Sequence, residues 1–209
     1  MNVLLDGMPI DAPGESLESA LREGARAAAA KGRMIVELEV DGAMLWGDAL
    51  ADAMSGGSHA LPQQVSLVSA DPRSLARLTL LDAAEGLESS RADHQAAAEE
   101  LQVGDNAVAI GRLGSVFGAW QNARDAFQRS TKLLGLSPDA VSAQDAAGKT
   151  VSAAECATSL ARRLHSARGS MESGDWSSLA DTLAYDLTEE IGVWTSLLRA
   201  TADRIAGTL

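Results

Sequence analysis

The chain has 209 residues, 46% of them apolar and only 3% aromatic, with a formal net charge of −12 and a pI near 4.6. That length supplies one sizeable core or two small ones, and the acidic balance repels phosphate backbones, which excludes nucleic acid as the expected partner. The single cysteine, Cys156, excludes an intrachain disulfide and a cysteine-based metal cluster.

The charge is uneven. Residues 1–72 hold 4 basic and 11 acidic side chains, while residues 73–209 hold 13 and 18. The first third opens with a short apolar run, Asn2 to Leu5, followed by Asp6-Gly7 and Met8-Pro9-Ile10. Asp-Gly between short runs predicts a tight hairpin, because both residues tolerate positive φ. Pro9 demotes the second strand to an edge. Ser16 is a candidate N-cap for a helix to Ala30, with Leu17, Ala20, Leu21, Ala25 and Ala28 inward and Lys31-Gly32 as its stop.

Met34 to Val40 alternates, which predicts a half-buried strand with Met34, Val36, Leu38 and Val40 on one face. Asp41-Gly42 predicts a second hairpin, leading to Ala43–Trp46. A short helix is expected over residues 48–54, a flexible loop at residues 55–58 and a last strand at Val65–Val68.

Strand, turn, strand, helix, strand, turn, strand, short helix, strand is an order that resembles the ubiquitin-like β-grasp fold. The turn Asp6-Gly7, the helix, the strand with Asp41-Gly42 and Val65–Val68 carry the likeness. It is one of topology and covers residues 1–70. Carrier members of that family end in a free Gly-Gly tail. Here Ser69-Ala70-Asp71-Pro72 runs on into a helix, so no carrier chemistry is implied. The resemblance implies a small sheet with a partner-binding face or edge.

Asp71-Pro72 marks the expected domain boundary, as N-cap and first helical residue. A helix is predicted over 72–102, with Leu80, Ala84, Leu87, His94, Ala98 and Leu101 inward and Arg91 interrupting the stripe. A second is predicted over 106–134, facing inward with Ile110, Leu113, Phe117, Trp120, Ala123, Phe127 and Leu134. Gly111, Gly114 and Gly118 on it suggest close helix approach. Residues 135–149 read as a linker.

Ser152-Ala153-Ala154-Glu155 has capping-box spacing and opens a third helix, 152–172, with Ala157, Leu160, Leu164, Ala167 and Met171 inward. The last helix, 175–206, carries the longest apolar stripe: Trp176, Leu179, Leu183, Leu187, Ile191, Trp194, Leu198 and Ile205. Leu101-Gln102-Val103-Gly104-Asp105 and Met171-Glu172-Ser173-Gly174-Asp175 repeat a turn pattern, each followed by a Leu eight residues on and then by a Trp. Two such αα-hairpins predict an antiparallel four-helix bundle over residues 71–209. The expected fold class is therefore α+β, a small β-grasp-like ββαββ(α)β domain followed by that bundle. The helical half also loosely resembles small cytoplasmic secretion chaperones of the flagellar-export kind: acidic, Ala/Leu-rich, antiparallel.

No catalytic, cofactor or metal set stands out. His59, His94 and His165 lack ligand spacing, and there is no nucleophile elbow. Gly148-Lys149-Thr150 lacks the upstream glycine and strand of a phosphate loop. The pairs Glu99-Glu100 and Glu189-Glu190 read as solvated helix faces. No window of about 20 apolar residues is present to span a membrane, and the first residues lack a basic, apolar leader pattern. A cytoplasmic location is expected.

The expected role is a non-enzymatic protein–protein interaction module, an adaptor or chaperone-like protein, whose partner is another protein or a second copy in a homodimer. The alternatives are structural self-association and a small-ligand or enzyme site at the domain junction near Trp46. Trp46 and Trp176 are the candidate contact residues, because Trp is enriched in binding hot spots.

Overall fold

The structure is a computed structural model that describes residues 1–12, 16–45, 62–145 and 147–207. Trp46, His59 and the helix expected over 48–54 lie outside the described residues. The protein is mixed α+β and divides into two compact units, Met1–Leu75 and Ala76–Leu209.

In the first unit the described strands form a five-stranded mixed sheet of order β2-β1-β5-β3-β4. The strands are β1 (Asn2–Leu5), β2 (Met8–Pro9), β3 (Met34–Val40), β4 (Ala43–Met44) and β5 (Gln64–Ala70). β1 runs parallel to the central β5, and the other pairings are antiparallel. Asp6 and Asp41 both take positive φ, 52° and 49°, each followed by a positive-φ glycine, so both Asp-Gly sites are tight hairpin turns.

The two turn aspartates also clamp opposite ends of β5. Asp6 Oδ1 accepts from the Ser69 main-chain N–H at 2.7 Å, and Asp41 Oδ1 accepts from those of Gln63 and Gln64 at 2.9 and 2.8 Å. Arg33 joins the first clamp, donating to the Ser69 hydroxyl at 2.7 Å. These bonds hold the Asp6 carboxyl below the usual carboxylate range, the Ser69 hydroxyl first among the causes.

Helix α1 (Leu17–Ala29) starts at Ser16, whose hydroxyl accepts from the Ser19 N–H. Its buried face is Leu17, Ala20, Gly24 and Ala28. Ala25, expected inside, is exposed, and Gly24 takes that place because a Cβ there would overlap Leu67 Cδ1 of the sheet. A second departure lies in β3. Ile35 pairs with Ser69 but Glu37 pairs with Val68, so Val36 is an extra residue and the strand bulges. The bulge reverses the alternation. Ile35 joins Leu38 and Val40 against the core, and Val36, expected inward, is exposed.

The second unit is built on helix α2 (Pro72–Ser89) from Ala76 on, and on α3 (Arg91–Gln102), α4 (Asn106–Leu134), α5 (Ala153–Ser173), α6 (Trp176–Asp181) and α7 (Thr188–Ala206). A π turn, Thr182–Leu187, joins α6 to α7. The single helix expected over 72–102 is interrupted at Ser90, although the Ser90 N–H still reaches the Gly86 carbonyl at 3.1 Å and the His94 N–H reaches the Ser90 carbonyl at 3.0 Å. There the Ser90 hydroxyl donates back to the Leu87 carbonyl at 2.7 Å, a bond that competes with the helix ladder.

The 135–149 stretch, expected as a linker, carries β6 (Ser142–Gln144) and the turn that leads back into β7 (Thr150–Ser152), so a hairpin stands there. Gly148-Lys149-Thr150 is its return arm, and the Lys149 N–H is taken by Asp145 Oδ1 at 2.8 Å. Val141 and Ala143 bury against the helices. The Ser152–Glu155 capping box opens α5 as its spacing implies.

The last helix is the centre of this core. Leu179, Leu183, Leu187, Ile191, Trp194, Leu198 and Ile205 are all buried, and so are Val193, Thr195, Leu197 and Ala202. At 100° per residue, the buried positions of α7 span about 200° of its circumference. Helices with that much buried surface lie inside a unit rather than on it. The π turn has a reason in the same sequence. Leu179, Leu183, Leu187 and Ile191 recur every fourth residue, which drifts about 40° per step around an ideal helix. A local i→i+5 turn counters that drift and keeps the stripe on one line.

Candidate protein-binding groove

Several residues expected in the core are not fully covered. On α4, Phe117 is half-buried; on α5, Leu164 and Met171 are half-buried and Ala157 is exposed. All four line one seam. Two adjoining hollows of about 280 and 500 Å³ run between α4 and α5 and share Leu164 and Arg124 in their walls. From Ala153 to Met171 the α5 wall spans about 27 Å at 1.5 Å per residue. Beneath the hollows lie Trp194 of α7, which borders the first with Phe127 and Leu160, and Trp120, which borders the second; both indoles are almost wholly buried.

The floor is rigid because its rings interlock. Trp194 meets Trp120 edge to face at 6.4 Å between centroids and meets Phe127 at 6.3 Å. Trp120 meets His94 at 6.1 Å and donates its Nε1–H to His94 Nε2 at 2.9 Å. Burial pushes the His94 imidazole below its ordinary pKa. Trp194 Nε1 is buried without an acceptor among the described residues.

The rims differ. On the α5 side Ala154, Ala157 and Ala161 form a low lip of small exposed side chains. On the α4 side Gln121, Arg124 and Gln128 stand exposed at the edge, and Arg168 guards the far end from α5. Arg168 pairs with Glu172 at 2.7 Å, whereas Arg124 has no ion-pair partner among the described residues. The polar side chains of the groove are thus the amides of Gln121 and Gln128, the guanidiniums of Arg124 and Arg168, and the carboxylate of Asp125, which faces Arg129 at 3.5 Å.

Of the two candidate contact residues, Trp46 lies outside the described residues. Trp176 is half-buried against the helical core at the start of α6, outside the groove walls. His165 is exposed on α5, and His94 is wholly buried. Among the described residues no group of three or more His, Cys, Asp or Glu is arranged to hold a metal ion.

Cys156 is buried, and desolvation with the nearby Glu190 charge pushes its thiol up to about 11. Glu190, expected on a solvated face, is buried, with Ser159 donating to it and Arg163 Nε 3.5 Å away. Glu100 likewise pairs with Arg112 at 2.7 Å. Gly111, Gly114 and Gly118, expected at close helix contacts, have open space where a Cβ would stand.

No helix among the described residues is long and apolar enough to cross a membrane. No protein-family model matches the chain, and no curated protein or solved structure is significantly similar to it.

Proposed function

We propose that this chain is a non-enzymatic protein–protein interaction module, adaptor or chaperone-like in role, and that the seam between α4 and α5 is where it takes its partner. One observation carries the proposal. Phe117, Leu164 and Met171, which have the spacing of core residues, stay partly uncovered along one groove. Such a groove, with a small-residue lip and a polar rim, is the surface that a helical segment of another protein buries. The sheet unit is a β-grasp-like scaffold on this reading, supported by its order β2-β1-β5-β3-β4 with β1 parallel to β5.

A photo-cross-linking amino acid at Ala161 or Gln128, both exposed at the rim, tests the proposal in cells of the source organism. The expected result is one defined protein adduct shared by both positions and missing from a control at Arg22, exposed on α1. Absence of an adduct at both rim positions, or the same adducts at Arg22, overturns it.

A further inference from the structure

Helix α4 turns an uncharged face to solvent in an acidic protein. Every exposed residue on it from Ala107 to Asn122 is uncharged. Arg112, the charged residue of that stretch, is engaged by Glu100 at 2.7 Å and Asp93 at 3.3 Å. The same stretch repeats a bulky residue followed by glycine, Ile110-Gly111 and Phe117-Gly118, one heptad apart with Gly114 midway. At 100° per residue, Ile110, Gly111, Phe117, Gly118 and Gln121 all lie within about 60° of the Gly114 direction. Ile110 and Phe117 fall to one side of that line, and Gly111 and Gly118 to the other. Ile110 is 46% exposed and Phe117 is half-buried. A Cβ at any of the three glycines would meet nothing within 4 Å, although glycine weakens an exposed helix.

We propose that this face of α4 is the contact of a homodimer, two copies of α4 running antiparallel about a two-fold axis at Gly114. The face complements itself under that operation, which selects a second copy as its occupant. Ile110 lies about 6 Å before the axis and Phe117 about 4.5 Å after it. Each Ile110 therefore stands level with Phe117 of the second copy, and the four side chains form one apolar cluster. On the other side, Gly111 stands level with Gly118 of the second copy, where bare backbone permits close approach. Charge agrees with this occupant. Each copy carries a net −12, so an acidic face would set like charges against each other, whereas this one brings no exposed charge to the contact. The pairing runs about 21 Å, from Ala107 to Gln121. One helix pair of that length buries less than the roughly 800 Å² per partner of a standard interface, so a dissociation constant on the order of 10–100 μM is expected. Self-association here is independent of the partner proposed above.

Sedimentation equilibrium of the full chain from about 1 to 500 μM tests the dimer. The expected result is a shift from the 21.6 kDa monomer toward twice that mass, strengthened by salt, which screens the repulsion between two acidic copies. G118L fills space that is empty in the single chain, so it should abolish association with circular dichroism and melting intact. Oxidation reads the register. G114C should link to itself, because the axis passes through residue 114. I110C should not, because its two copies lie about 12 Å apart along the helices, beyond the roughly 7 Å reach of a disulfide. Cys156 is buried and does not compete.

A monomer at every concentration overturns the proposal and, where the rim cross-linkers still give their adduct, leaves the interaction role standing. Association untouched by G118L places the contact on another face and overturns it. Self-linking of I110C equal to that of G114C means another register and overturns it as well.

Discussion

Trp120 donates its indole N–H to His94 Nε2 at 2.9 Å, with both rings closed off from solvent. An indole nitrogen is only a donor, so Nε2 must be unprotonated. The ring proton sits on Nδ1, which donates to the Ser90 carbonyl at 2.8 Å. His94 is thus held as one neutral tautomer by both neighbours, and a second proton finds no acceptor.

A pH dependence of stability follows. Burial first, with the Arg91 charge, lowers the folded-state pKa of His94, while the Ser90 bond and Asp93 oppose the shift. Between that value and the unfolded value of about 6.5, the unfolded chain binds the extra proton. Stability is therefore whole above about pH 6.5 and falls as pH drops toward the folded value. Urea midpoints at about pH 8 and about pH 5.5 should show this loss, and H94Q, which cannot titrate, should reduce it. W120F leaves Nε2 buried without a donor and should cost about 1–3 kcal/mol at neutral pH. An unchanged midpoint for W120F would remove the hydrogen bond from the account.

The glycines divide by what stands over them. A Cβ at Gly24 would overlap Leu67 Cδ1 at the centre of the sheet core, where Leu67 is fully buried. G24A should therefore destabilise the protein by about 1–3 kcal/mol. Gly114 is exposed in the interior of α4 with open space above it, so G114A should stabilise by about 1 kcal/mol through helix propensity. Thermal melts of the two variants should move in opposite directions, and movement in the same direction would contradict this division.

Local chemistry is what the sequence exposes well here. Positive φ at Asp6-Gly7 and Asp41-Gly42, the Ser16 cap and the Ser152–Glu155 box each depend on a few adjacent residues. The paired Gly-Asp turns do too. Gly104 and Gly174 share a left-handed φ, and the N–H groups of Asp105 and Asp175 both reach back to a carbonyl five residues earlier, at 2.9 Å each. Features decided by distant partners stay hidden. The bulge at Val36 is set by its pairing with β5, so the alternation holds at Leu38 and Val40 but misleads at Ile35 and Val36.

The β6–β7 hairpin is hidden because Ser142-Ala143-Gln144 has little strand character of its own and gains its place from Val141 and Ala143 packing on the helices. Phe117, Leu164 and Met171 have core spacing on their own helices, and only the Trp194 and Trp120 floor from beneath shows that α4 and α5 leave a groove. Trp176 sits half-buried at the edge of the helical core.

Cys156 gives a simple chemical readout of the α5–α7 contact. A thiol with a pKa near 11 is almost wholly protonated at neutral pH, and the thiolate is the nucleophile. Native protein at about pH 7.5 should react with a maleimide far more slowly than the same chain in urea, by a factor on the order of 100 or more. Rapid native labelling would mean that α5 opens away from α7 in solution.

The same contact holds a largely buried ion pair. Glu190 is nearly closed off, takes the Ser159 hydroxyl bond, and faces Arg163, which also reaches Asp186 and Glu189 toward the surface. Removing the cation alone strands a carboxylate away from water. Because Arg163 keeps some exposure, R163M should cost about 2–3 kcal/mol, below the cost of breaking a fully buried pair. Replacing both partners removes the stranded charge. R163M/E190M should therefore be less destabilised than the sum of the single variants, by about 1–2 kcal/mol in a double-mutant cycle followed by urea unfolding. Additivity within about 0.3 kcal/mol would mean that Ser159, rather than Arg163, holds the Glu190 side chain in place.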